Sequence, residues 1–317
     1  MKNRDKFILI IGVLVIAIGL FVAFDLKGNL SYILSRRLIR LGTMLVVGIS
    51  VGVSSVIFQT ITGNRILTPS IMGYESIFIL FQTLIVFILG DQALQAISQE
   101  ANFFLAICLM LLFSLGMYFL VFNNQHKNMF YLLLIGMVMG ALFQSASQFM
   151  HILIDPNAFS VIQNFMFVSF SKMNTKLLAI AAGTLFFTLI YLRKLMPYLD
   201  VLRLGREQAI NLGVNYNRLV KQLLFVISLL VSVSTALVGP ITFLGILVSN
   251  LTYELLKTHK HAWLLTYCAV LSCVCLIAGQ FLIEHVLQFS TTVSIVINFI
   301  GAVYFMFLLW KTRKLIR

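Results

Sequence analysis

The chain has 317 residues, 60% of them hydrophobic and only 10% charged, and its formal net charge is +13. A soluble domain carries about a quarter charged residues, so a large water-soluble fold is excluded. The positive charge sits in short segments between apolar runs, a membrane-topology pattern that argues against nucleic acid as a partner and for contact with lipid headgroups.

The first run, "FILIIGVLVIAIGLFVAF" (7–24), follows Lys2, Arg4 and Lys6. A basic start before an apolar core is the outline of a signal peptide. This core is longer than usual and has no small-residue cleavage site, so the stretch is predicted to be a retained first span. Runs near the roughly 20 residues needed to cross a bilayer recur at 38–58, 70–89, 103–122, 129–149, 176–192, 219–237, 241–257, 262–283 and 293–310. The run at 241–257 is the least sharply bounded, because Gly239-Pro240 leaves almost no loop before it. A closed β-barrel would need short alternating segments, which these continuous runs are not. The expected fold is an all-α polytopic membrane protein of about ten transmembrane helices. An even count puts both termini on one side. With the N-terminus in the cytoplasm, seventeen of the 23 Lys and Arg residues fall inside, so both termini are expected to be cytoplasmic.

Against that bias, "LSRRLIRLG" (34–42) sets Arg36, Arg37 and Arg40 at the outer edge of the second span. Clustered guanidiniums there suit either headgroup anchoring or bidentate recognition of carboxylates on a partner. Further along, Gly48 and Gly52 form a GxxxG pair on the second span, and Gly136 and Gly140 form another on the fifth, both predicting close helix packing. Glu75 is the one membrane-embedded acid, either lining a pathway or pairing with Arg65. Gln144, Ser145, Ser147 and Gln148 would be costly against lipid. Together with Asn250 and Asn298 they predict a water-accessible pathway lined by spans five, eight and ten.

The longest inner loop contains "GREQAINLGVNYNRL" (205–219), which reads as two short helices meeting at a corner. Glu207 suits the positive end of the first helix. Gly213 can take the left-handed conformation that closes it, and Asn215 can cap the next. Cys268, Cys273 and Cys275 crowd the ninth span, with Cys268 and Cys275 roughly on one face. They are expected as packing residues, with no metal site or disulfide framework. His259 and His261 in "KTHKH" are expected on a solvated turn. No G-x-x-x-x-G-K-[ST] occurs, so the chain does not bind ATP through a P-loop.

"GREQAINLGVNYNRL" followed by "ALVGPITFLGILV" (236–248) resembles the permeases of iron-chelate and cobalamin ABC importers, the FecCD/BtuC type. "RRLIRL", "FQTITGNRILTPSIMG", "LIGMVMGALFQS", "DPNAF" and "FIGAVYFMFLL" are similar to further family segments and stand in the expected order. The resemblance implies the type II ABC importer permease fold, as a single transmembrane domain over 1–317 with a coupling elbow at about 203–218. It implies a cytoplasmic ATPase dimer that binds ATP and Mg, leaving this chain without a cofactor or catalytic residues of its own. It also implies a second permease subunit, homologous or identical, an extracellular or periplasmic siderophore-binding protein, and residence in the bacterial plasma (inner) membrane. By this resemblance Arg37 and Arg40, with Arg36 as helper, dock carboxylates of the binding protein, and Gly205, Arg206, Glu207 and Gly213 couple to the ATPase. Glu284-His285 stands where the family often has another docking basic residue. The usual Pro-His after the GPIGF segment is here Ser249-Asn250, and the segment before the last span is "FSTTVS" (289–294). These departures look like the catecholate-siderophore branch. The alternatives are haem or cobalamin as cargo, or, in another class, a proton-coupled secondary transporter, for which Glu75 is the sole support.

Overall fold

The computed structural model describes residues 3–24, 30–90, 97–122, 129–170, 174–288 and 290–315. Lys2, Lys27, Lys127, Lys172 and Arg317, which contribute to the charge bias, and Phe289 of the FSTTVS segment lie outside the described residues. In chain order the helices are α1 (Asn3–Ala23), α2 (Leu30–Thr62), α3 (Tyr74–Leu89), α4 (Gln99–Phe122), α5 (Met129–Leu153), α6 (Pro156–Met166), α7 (Thr175–Leu202), α8 (Arg206–Asn211), α9 (Tyr216–Val238), α10 (Leu244–Leu255), α11 (His261–His285) and α12 (Val293–Leu315). A 3-10 turn, Pro69–Met72, precedes α3. Each expected span falls on one of these helices.

Seven of them, α1, α2, α4, α5, α7, α9 and α11, are long and apolar enough to cross a membrane unaided. Tyr74–Leu89 and the apolar part of α12, Val293–Phe307, are shorter. The expected span at 241–257 needs correction. Its helix, α10, has only 12 residues, about 18 Å at 1.5 Å per residue, well short of a hydrocarbon core of about 30 Å. Gly239 closes α9 at φ 97°, Pro240 brings no N–H, and the chain stays non-helical until Phe243. Such backbone is tolerated at membrane depth only where protein buries it, and Gly239, Pro240 and Ile241 are all buried. The helix α6 was not foreseen. Its signal was present in Asp155-Pro156: the Asp155 carboxylate accepts from the Asn157 N–H at 2.8 Å, and Pro156 occupies the first turn, where it has no hydrogen bond to lose.

The buried axis of the bundle is α2, which packs most extensively on α11 and also against α7, α9 and α10. Its first GxxxG pair makes the α11 contact possible. A Cβ at Gly52 would stand 2.8 Å from the Cys268 carbonyl oxygen, and one at Gly48 would stand 2.9 Å from the Cys273 sulfur. The glycines thus meet the Cys268 backbone and the Cys273 sulfur across one interface. The second pair works differently. Gly136 and Gly140 of α5 receive the 3-10 turn, not a helix: a Cβ at Gly136 would lie 3.0 Å from the Met72 Cα, and one at Gly73 would lie 2.9 Å from the Gly140 Cα. Among the outward-facing side chains, Ile8, Leu9, Val15 and Ile16 on α1 and Phe299, Val303 and Met306 on α12 are large and apolar, as a lipid-facing surface requires.

Gly52→Val forces α2 and α11 apart, because backbone atoms, not a flexible side-chain tip, meet the new methyl groups. It is expected to destabilise the fold by about 2 kcal/mol or more, measured as a lower thermal midpoint in detergent. Gly12→Val on α1, where a Cβ would meet nothing within 4 Å, is the matched control and leaves the midpoint unchanged.

Candidate functional site

Three regions carry the candidate residues. At one end of the bundle, the RRLIR stretch is engaged mainly within the chain. The Arg37 Nη1 donates to the carbonyls of Phe21 (3.2 Å), Val22 (3.0 Å) and Phe24 (2.6 Å). It thereby satisfies the orphan acceptors at the end of α1, where a cation also suits the helix dipole. Arg40 Nη1 donates to Glu284 Oε1 of α11 at 2.9 Å, and Gln280 Nε2 donates to the same oxygen at 2.8 Å. The side chains of Arg40 and Glu284 are 23% and 8% exposed. Arg36 differs: it is exposed, and its guanidinium lies 5.2 Å from the Tyr32 ring centre. His285 stacks on Phe281 at 4.5 Å and meets Phe24 edge-on at 4.8 Å.

At the opposite end lies the elbow. Thr60 near the end of α2 and Asp200 near the end of α7 both meet His261 at the start of α11. Asp200 Oδ1 accepts from the His261 N–H at 2.8 Å and lies 2.6 Å from its Nδ1, while Nε2 lies 2.9 Å from Thr60 Oγ1. His261 is therefore a buried joint, not the solvated turn residue expected from the sequence. The elbow is one short helix, α8, leading directly into the long α9, so the expected second short helix is simply the first turn of α9. Its corner follows the predicted logic. Gly213 sits at φ 81°, its N–H bonds to the Ile210 carbonyl at 2.9 Å, and the Val214 N–H reaches the Ala209 carbonyl at 3.0 Å, the paired bonds of a Schellman closure. Asn215 Oδ1 accepts from the Arg218 N–H at 3.2 Å. The Arg206 guanidinium lies 5.5 Å from the Tyr216 ring centre, which ties the two arms. Glu207 is exposed in the first turn, at Gly205, whose φ of 99° favours glycine, the chain turns into α8, and Leu204, Ile210 and Leu212 present bare apolar side chains around it. That apolar surface was missed in the sequence, where these leucines and the isoleucine look like ordinary helix positions.

The expected pathway residues separate into two groups. Gln144 and Gln148 lie exposed on the open face of α5, with Ser145 beside them. Ser147 is 2% exposed and bonds back to the Phe143 carbonyl at 2.9 Å. Asn250, 5% exposed, donates to the carbonyls of Arg65 (3.0 Å) and Ile246 (3.0 Å). Its neighbour Ser249 takes the Gln59 amide at 2.8 Å, and that amide also reaches the Arg65 carbonyl at 2.6 Å. The Ser-Asn pair therefore clamps the stretch after α2. Asn298 is half-buried, and its Oδ1 accepts from the Phe243 N–H at 3.5 Å, supporting the non-helical entry to α10. Glu75 does not pair with Arg65, whose guanidinium lies 4.7 Å from the Tyr253 ring centre. It accepts from Ser70 and Thr242 instead, each at 2.7 Å. Among the described residues no group of three or more His, Cys, Asp or Glu could hold a metal ion.

The sequence matches the model of the FecCD transport family over residues 7–311. It is 48% identical over 314 residues to the petrobactin import system permease protein YclO of Bacillus subtilis (strain 168), covering 99% of each chain. It is 30% identical to the petrobactin import system permease protein FatC of Bacillus anthracis, over 89% of this chain and 80% of that one. A solved chain described as a metal-chelate type ABC transporter in an inward-facing conformation shares the fold, with a TM-score of 0.84 at 24% identity, over 98% of this chain and 100% of that one.

If the Arg40–Glu284 contact joins α2 to α11, Arg40→Ala and Glu284→Ala each lower the thermal midpoint, and the double variant loses less than their sum. The expected coupling is about 1 kcal/mol, because the pair is only partly screened. Strict additivity would show that the two side chains do not interact.

Proposed function

The chain belongs to the FecCD transport family, and we propose that it is a membrane-spanning permease subunit of an ATP-binding cassette importer for ferric siderophore, of the catecholate type that includes petrobactin. The observation that carries this reading is the end-to-end match to a petrobactin import permease at 48% identity, on a fold whose elements all fit a multi-pass bacterial membrane permease. Haem, cobalamin and proton-coupled secondary transport have no comparable support.

In this reading the chain is one transmembrane domain with both termini in the cytoplasm, as the charge bias supports. The elbow then faces the cytoplasm. Its rigid Schellman corner, exposed Glu207 and surrounding Leu204, Ile210 and Leu212 suit contact with a separate ATPase dimer, since bare apolar side chains on a soluble-facing surface mark a partner site. That dimer binds and hydrolyses the ATP. A second permease subunit, homologous or identical, faces the open side of α5, where Gln144 and Gln148 line the siderophore pathway. ATP binding and hydrolysis bias that pathway between two openings. At the outer end the arginines receive carboxylates of a siderophore-binding protein. Arg36 is exposed for that role, whereas Arg37 and Arg40 also hold α1 and α11.

Labelled ferric petrobactin uptake tests the whole reading. Cells lacking this chain should lose uptake and regain it when the chain is restored; uptake unchanged by the deletion would overturn the assignment. Within the reconstituted importer, Glu207→Ala and Leu212→Asp are expected to cut siderophore-stimulated ATP hydrolysis by about tenfold while the permease still inserts normally. Arg36→Glu should weaken binding-protein affinity and leave the thermal midpoint unchanged, whereas Arg37→Glu should lower both.

A further inference from the structure

Among the described residues Glu75 has no cationic partner to account for its place inside the bundle. Among the described residues no salt bridge reaches it, and both of its oxygens are met by neutral hydroxyls, Ser70 at Oε1 and Thr242 at Oε2. The carboxylate lines a cavity of about 20 Å³, room for a single water-sized body. Hydroxyls crowd the same walls, from Ser54, Ser55, Thr68 and Ser234 as well as Ser70 and Thr242, and no Lys, Arg or His is among them.

The protons of these hydroxyls are largely committed away from the space they enclose. Ser70 and Thr242 give theirs to Glu75. Ser54 gives its proton to the Val51 carbonyl at 3.1 Å, and Ser234 gives its own to the Val231 carbonyl at 3.0 Å. What these four leave available to an occupant is lone pairs. Thr68 points to one. It is 1% exposed, it lines this cavity, and among the described residues its Oγ1 has no hydrogen-bond partner. Although Thr68 stands at the N-cap of the 3-10 turn, its side chain makes no capping bond. A buried hydroxyl left without a partner costs about 1–3 kcal/mol unless something in the cavity engages it.

We propose that this cavity is a sodium-ion site, with Glu75 as the charged ligand and the Thr68 hydroxyl among the neutral ones. The donor set is all oxygen, which suits a hard cation, and a single carboxylate balances a single positive charge; divalent calcium gathers more carboxylates and six to eight oxygens. The setting is also apt. Backbone that departs from the α-helix inside membrane proteins offers inward oxygens that hold Na⁺, and two such segments, the Pro69–Met72 turn and the 239–243 stretch, meet at Glu75. The ion would neutralise the carboxylate and tie the first turn of α3 to both segments. The inference does not rest on which chelate is carried.

The test is equilibrium binding of radioactive sodium to the purified importer, with permease and ATPase subunits together, in choline chloride at constant ionic strength. Saturable binding displaced by unlabelled NaCl is expected in the wild type. Glu75→Gln should abolish it, and Thr68→Val should weaken it by about tenfold, the loss of one ligand's worth of about 1.4 kcal/mol. The wild-type measurement decides even if a variant fails to fold. Sodium binding no greater than the choline background would overturn the site, leaving Glu75 protonated or hydrated by a water, and full binding by folded Glu75→Gln would overturn the assignment to this cavity.

Discussion

Everything in this molecule answers to the absence of water in the bilayer core: each backbone N–H and C=O must find its partner within the protein. Long helices meet that demand by themselves. The stretches at 63–73 and 239–243 do not, and several polar side chains of the interior bond to them. Asn250 and Gln59 hold the Arg65 carbonyl, Asn298 takes the Phe243 N–H, and Glu75 bridges Ser70 and Thr242. Around these joints α2 forms a core helix held at close range to α11 by Gly48 and Gly52. The bundle is therefore closely packed through its centre and interrupted at a few points, an arrangement suited to switching between packed states.

The two ends of the bundle divide the remaining work. At the end with Arg37 and Arg40, charge is used to lash the termini of α1 and α11 to α2, and Arg36 stays exposed. At the elbow end, Asp200, His261 and Thr60 join three helices, and α8 projects from that joint on a defined corner. The elbow is anchored at its base and bare at its tip: Ala209 is fully buried while Ile210 and Leu212 are exposed.

Features set by local chemistry were legible in the sequence. Hydropathy located the long apolar helices, and Gly213 with Asn215 gave the corner of the elbow because a left-handed closure and a side-chain cap each depend on a single residue. Contacts between distant segments were not legible. Nothing in "RRLIR" reveals that the carbonyls of Phe21, Val22 and Phe24 will lie beside Arg37, or that Glu284 will meet Arg40. A GxxxG pair announces close approach without naming the visitor, so the arrival of a 3-10 turn at Gly136 and Gly140 was invisible. Ser147 and Asn250 have the polarity of pathway residues, yet the first bonds to its own helix and the second to the Arg65 loop; polarity in a membrane span does not distinguish a structural clamp from a wet surface. The short α10 was obscured because Ile241, Thr242 and Phe243 continue its uncharged run although their backbone is not helical, with Thr242 held by Glu75 and the Phe243 N–H by Asn298.

The central claim is that this chain provides a gated passage and takes its driving force from a separate ATPase. Proteoliposomes decide it most directly. Liposomes holding the permease with its ATPase dimer, supplied with ATP and loaded binding protein, should accumulate labelled ferric petrobactin, and liposomes holding the permease alone should not. Accumulation by the permease alone, without any nucleotide hydrolase, would contradict the account.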